Sequence, residues 1–227
     1  MKAIYKSIFL FELVFIILSC SKQNKTASYF LEKDDIVVIE SVKKFNYFEK
    51  DDYNKVIAIL DEAIERKPYI WEFYNYKIIT TEAFLSTAYE NEDVDYDTIA
   101  RQENKIIIES FEKYIPNKKN ELTVSQNFLY GFNLLYAKRN KEAQKYLKES
   151  YKFLSTIKNP PEYGSDKENS LGCAVISGFL LSKISEEKLK KYDFLFINNE
   201  FLYKSFLALV KNETPESLIE KYGNWSF

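Results

Sequence analysis

The 227-residue chain carries 32 basic and 34 acidic side chains, a formal net charge of −2, and no histidine. That balance offers nucleic acid nothing to bind, and the missing imidazole removes Ser-His-Asp and Cys-His catalysis, histidine-ligated zinc and the commonest general base. Only 5 Gly and 5 Pro beside 46% hydrophobic residues argue for an all-α chain of long helices and short connections.

The first twenty residues follow a recognisable order. Lys2 and Lys6 open the chain with positive charge, and Ile8 to Leu18 form an apolar run shorter than the roughly 20 residues of a membrane span. Ile17-Leu18-Ser19-Cys20 closes it with a small residue before a cysteine. This order resembles a bacterial lipoprotein signal peptide with a loose, spirochaete-like lipobox. The resemblance implies a leader over residues 1–19 and acyl chains on Cys20 that hold the mature chain to a membrane of the cell envelope. Ser21 stands where enteric-type sorting places the aspartate that retains lipoproteins at the inner membrane, so an outer-membrane destination is expected, on its periplasmic or surface face.

Residues 20–29 then read as the lipidated cysteine and a flexible polar tether. At about 3.5 Å per extended residue, that tether holds the body within roughly 30 Å of the bilayer. With Cys20 committed to lipid, Cys173 has no intramolecular disulfide partner, and its small neighbours Gly172 and Ala174 give it a buried packing role.

The body takes up helical spacing at Leu31. Ile36, Val37, Ile39, Val42, Phe45 and Phe48 predict a first helix, and Asp51-Asp52 are placed to cap a second over residues 53–66, ended by Pro68. Longer helices follow over residues 69–89 and 98–115, separated by the acidic stretch 91–97. A third pair runs from Val124 through the Ala137-Lys138-Arg139-Asn140 turn to Phe153.

The offsets of Tyr53, Val56, Leu60, Ala63 and Pro68 resemble the second half of a tetratricopeptide repeat (TPR). Ala143, Leu147 and Ser150 repeat the small-large-small pattern, and Gly131 falls where such repeats carry a helix-packing glycine. Val56 and Ala143 are 87 residues apart, against the roughly 68 or 102 set by two or three 34-residue units. The resemblance therefore implies an irregular TPR-like right-handed array over residues 30–157. The break at Pro160-Pro161 and Gly164 sets off residues 158–227 as a C-terminal helical segment that packs on the array as its cap. There the small-residue run from Leu171 to Ile184 suits close helix packing, and Phe194 to Val210 is apolar again.

Catalytic and metal chemistry find little support. Asp93, Asp95 and Asp97 alternate as in a calcium loop, but Thr98 and Asn104 occupy its glycine and glutamate positions, so a capping turn is the better account. No cofactor is implied. By analogy with TPR domains, first-helix positions line a concave surface: Glu72, Asn75, Ile79 and Glu82 in the second unit, Ser125, Phe128 and Phe132 in the third. Most of the cluster Tyr69, Trp71, Phe73, Tyr74 and Tyr76 reads as core, but no single helical face buries all five, which makes Tyr74 or Tyr76 a candidate for exposure in the groove beside them.

The reading is a non-enzymatic, membrane-anchored lipoprotein that binds a protein or peptide partner in envelope assembly or transport. A surface-displayed host-interacting lipoprotein, and a small-ligand carrier or enzyme using an aromatic groove, stand as alternatives.

Overall fold

A computed structural model describes residues 31–91, 96–158, 161–162 and 164–184 of the chain. The fold is all-α. The helices are α1 (Lys33–Val42), α2 (Lys50–Arg66), α3 (Trp71–Asn91), α4 (Tyr96–Tyr114), α5 (Val124–Tyr136), α6 (Asn140–Lys152) and α7 (Asp166–Ile184), with a 3-10 turn at Phe153–Thr156. Among the described residues, no helix is long and apolar enough to cross a membrane. The leader, Cys20, the tether and the segment beyond Ile184 lie outside the described residues.

Contacts divide the chain at Glu121–Leu122 into two compact units, α1–α4 and α5–α7. The division does not fall at residue 158, where the Pro-Pro-Gly break suggests it, because α7 packs on both α5 and α6.

In the first unit, α1 is shorter than its apolar spacing predicts. After Val42 the chain turns, with Lys44 N–H donating to Ser41 and Phe45 N–H to Val42, and Phe48 is left 52% exposed. Helix α2 begins at Lys50, so Asp51 and Asp52 lie in its first turn and do not cap it. There they meet the positive end of the helix dipole, and Asp52 accepts from Asn46 N–H at 3.2 Å. Val56, Leu60, Ala63 and Ile64 form the buried face of α2, each large apolar side chain contributing roughly 1.5–3 kcal/mol on leaving water.

Helices α2 and α3 run antiparallel about Pro68. Tyr53 stacks on Phe84 with ring centres 4.1 Å apart, and Lys77 pairs with Asp61. Helix α4 folds back on α3, bringing Phe111 and Tyr114 to Trp71.

In the second unit, Thr123 caps α5. Its hydroxyl accepts from Gln126 N–H, while the Gln126 side chain accepts from Thr123 N–H at 2.8 Å. This reciprocal pair satisfies two otherwise orphaned donors. The helix ends in a Schellman-type turn, with Arg139 N–H on Leu134 and Lys138 N–H on Leu135. Lys138 takes the left-handed position at φ 59° that glycine usually fills.

The antiparallel α5–α6 pair is close at Gly131, where a Cβ would meet Leu147 Cγ at 2.9 Å and its backbone nitrogen at 3.1 Å. Helix α7 starts at Asp166, five residues before its apolar run. Ser165 Oγ accepts from Glu168 N–H at 3.2 Å, and the Glu168 carboxylate reaches back to Gly164 N–H. Its tight face is Ala174, Ser177, Leu180 and Leu181, whereas Gly172 faces open space.

Candidate functional site

The first turn of α1 is held by a lysine from the far end of α2. Asp35 accepts from Glu32 N–H at 2.9 Å, half of a capping exchange. Lys67, just past the end of α2, donates to Asp35 at 2.8 Å and to Glu32 at 2.6 Å. Those two hydrogen bonds, Asp35's first, raise the Lys67 pKa above the ordinary lysine range. Asp35 is only 4% exposed, and a cation and an N–H meet its carboxyl there.

Around this clasp lies a hollow of about 170 Å³, whose walls include Glu32, Asp34, Asp35, Arg66, Lys67 and Phe73. Glu72, in the first turn of α3, lies close enough to feel Asp35. Burial first and then that negative charge push its carboxyl above the usual range, against one backbone N–H that pulls it down.

The same side of α3 continues through Asn75 and Tyr76, both half-buried. The Lys43 ammonium lies 5.7 Å from the centre of the Tyr76 ring. Its pKa is raised, chiefly by its hydrogen bond to Glu40 and also by Tyr76. Glu72 thus faces the start of α1 and Tyr76 its end, so α1 and α3 run in the same sense. Glu72, Asn75 and Tyr76 form a partly open stripe of one carboxyl, one amide and one phenol beside basic Lys43.

Tyr74, Phe128 and Phe132, also candidates for the surface, are core. Tyr74 is 1% exposed, with its ring against Trp71 and Tyr114 and its hydroxyl donating to the Pro68 carbonyl at 3.1 Å. Burial pushes that hydroxyl up to about 12. The physical reason is α4, which folds over α3 at this point and closes the aromatic cluster.

Phe128 and Phe132 are 2% and 4% exposed. All nine residues from Asn127 to Leu135 are buried, so this part of α5 keeps no open face for a first-helix groove. Ser125 is half-buried, with the Cys173 thiol 3.8 Å from its hydroxyl. Cys173 itself is half-buried and not sealed in the core.

A second polar cluster sits at the other end of the α3–α4 hairpin. Glu103 on α4 is 6% exposed. Glu82 on α3, expected on a concave surface, is half-buried, and its Oε1 is sealed from solvent without a hydrogen-bond partner. Burial pushes Glu103 up to about 8. Burial, and then the charge of Glu103, hold Glu82 well above the ordinary range.

Thr80, Thr81 and Asn104 are buried on the same two helices. No group of three or more metal-ligating side chains is present among the described residues. Asp93 and Asp95 of the sequence's calcium-like alternation lie outside them.

The clasp and the carboxyl pair were not singled out by sequence reasoning. The available signal was Glu103 four residues before Ile107, a charged residue in register with a buried helical face. No family model matches the chain, and no curated protein or solved structure matches it either.

Proposed function

We propose that the chain is a lipid-anchored protein of the bacterial envelope, favouring the outer membrane, whose helical body binds another protein as an accessory subunit in assembly or transport. The observation that carries the reading is Ile17-Leu18-Ser19-Cys20 at the end of a basic-then-apolar leader. The TPR-like part is supported by Val56, Leu60 and Ala63 at buried positions of α2 and by the close approach at Gly131. In the proposed arrangement, hairpins α1–α2 and α3–α4 stack as irregular repeats, and the stripe Glu72, Asn75 and Tyr76 meets the partner.

A peptide segment with amide and basic groups suits that stripe. The hollow beside it, at about 170 Å³, is smaller than the roughly 300–1,000 Å³ of small-molecule sites, which favours a macromolecular partner.

Mass spectrometry of the mature N-terminus, together with membrane fractionation, tests the anchor. A diacyl or triacyl adduct on Cys20 in the outer-membrane fraction is expected, and an intact Met1 would overturn the reading. A photo-crosslinking residue in place of Tyr76 tests the surface. It should give one discrete membrane adduct that Glu72→Arg removes, whereas a smear insensitive to Glu72 would exclude this stripe.

A further inference from the structure

The α3–α4 hairpin is built in two halves of opposite character. One end is apolar: Trp71 packs against Phe111 at 4.5 Å and Tyr114 at 5.1 Å between ring centres. The other end buries Glu103, Thr80, Thr81 and Asn104 and half-buries Glu82, whose Oε1 is sealed and unpartnered. Two carboxyls in such a place are stable only while neutral, because an isolated buried charge loses its hydration with no compensating partner.

The charged groups of the neighbouring helices do not neutralise them. On α4, Arg101 is exposed and Lys105 is directed to Glu109 at 3.7 Å. On α2, Lys55 is paired with Asp52. On α3 itself, Lys77 is taken by Asp61. Each carboxyl responds to burial, and Glu82 additionally to Glu103, with no cation acting on either.

We propose that Glu82 and Glu103 form a proton-operated catch, which holds the polar half of the α3–α4 hairpin shut when the carboxyls are neutral and releases it when they ionise. The proton sits on the carboxyls in the closed hairpin and passes to water on opening. The two charges that appear then repel each other and draw water between the helices. The aromatic end is held by the packing of Trp71 against Phe111 and Tyr114 and remains closed, so the release is local to one half.

The sign follows from the direction of the shifts. A carboxyl raised in the closed state binds its proton more tightly there than in the open state. The closed state is therefore favoured most at low pH and loses that advantage as pH rises from the ordinary 4.5 to about 8.

Amide hydrogen exchange on the full-length protein, corrected for the intrinsic pH dependence of exchange, reads the catch at residues 78–87 and 98–107. Opening should increase by up to about tenfold per pH unit for one linked proton across that window. Residues 109–114, on the aromatic end of α4, should show no such slope. Glu103→Gln should leave the weaker slope of Glu82 alone, and the double variant with Glu82→Gln should be flat.

A slope that survives in the double variant would overturn the proposal. So would loss of the slope in millimolar calcium or magnesium, which would make the pair a metal site instead. Should either variant not fold, carboxyl ¹³C titration of the wild-type chain decides the matter, since a Glu103 midpoint in the ordinary carboxylate range would sink the idea.

Discussion

At the residue scale, Gly131 is where the second unit has least slack. An added Cβ would lie 2.9 Å from Leu147 Cγ, which can shift, and 3.1 Å from the Leu147 backbone nitrogen, which can move only with the whole of α6. Alanine gains up to about 1 kcal/mol of helix propensity, but overpacking costs about 1–3 kcal/mol. Gly131→Ala is therefore expected to lower stability by about 1–2 kcal/mol, read as a reduced urea midpoint at unchanged m-value. Tyr74 gives a contrasting case, because its ring stays packed when the hydroxyl goes. Tyr74→Phe leaves the Pro68 carbonyl without its donor and should cost about 1 kcal/mol.

At the scale of elements, the turn between α5 and α6 runs against local preference. Lys138 holds a left-handed φ of 59°, a conformation that costs an L-residue about 1–2 kcal/mol, part of which glycine returns as unfolded-state entropy. Lys138→Gly should accordingly stabilise the protein by about 0.5 kcal/mol in calorimetry. Thr123→Ala should cost about 0.5–2 kcal/mol by removing the α5 cap.

Such caps and offsets are local, and local signals were largely legible. The spacing of Val56, Leu60 and Ala63, the role of Gly131 and the all-α class can all be read from neighbours a few residues apart. Helix α7 begins ahead of its apolar run because Ser165 and Glu168 satisfy the donors at its start. Features made by distant residues were not legible. Asp35 and Lys67 meet across 32 positions, and α7, far along the chain, packs on α5, where Phe128 and Phe132 are buried. Glu82 and Glu103 look like solvated helix residues until the two helices face each other.

For the molecule as a whole, the raised carboxyls and the lowered ones act at opposite ends of the pH scale. Asp52 and Glu142 are held below the usual range, chiefly by hydrogen bonds from Lys55 and Arg139 respectively, so their contribution is lost as pH falls below about 4. Glu103 acts on the other side, with up to about 1.4 kcal/mol lost per pH unit between 4.5 and about 8. Global stability should therefore peak near pH 5 and decline toward pH 8, as a thermal-unfolding series across that range would show; a plateau between pH 5 and 8 would contradict it.

The clasp on α1 also has a mechanical side. Any pull on the chain from its N-terminal side enters the described body through α1, a helix of ten residues with Ile36 and Val37 facing outward. The tension passes to α2 across the ion pairs of Lys67 with Glu32 and Asp35, so α1 is the segment that peels first while α2–α4 stay folded. In single-molecule stretching this would appear as a small early extension, and Lys67→Ala should bring it to lower force. A body built this way gives under strain at its first helix and keeps the rest of its structure behind that fuse.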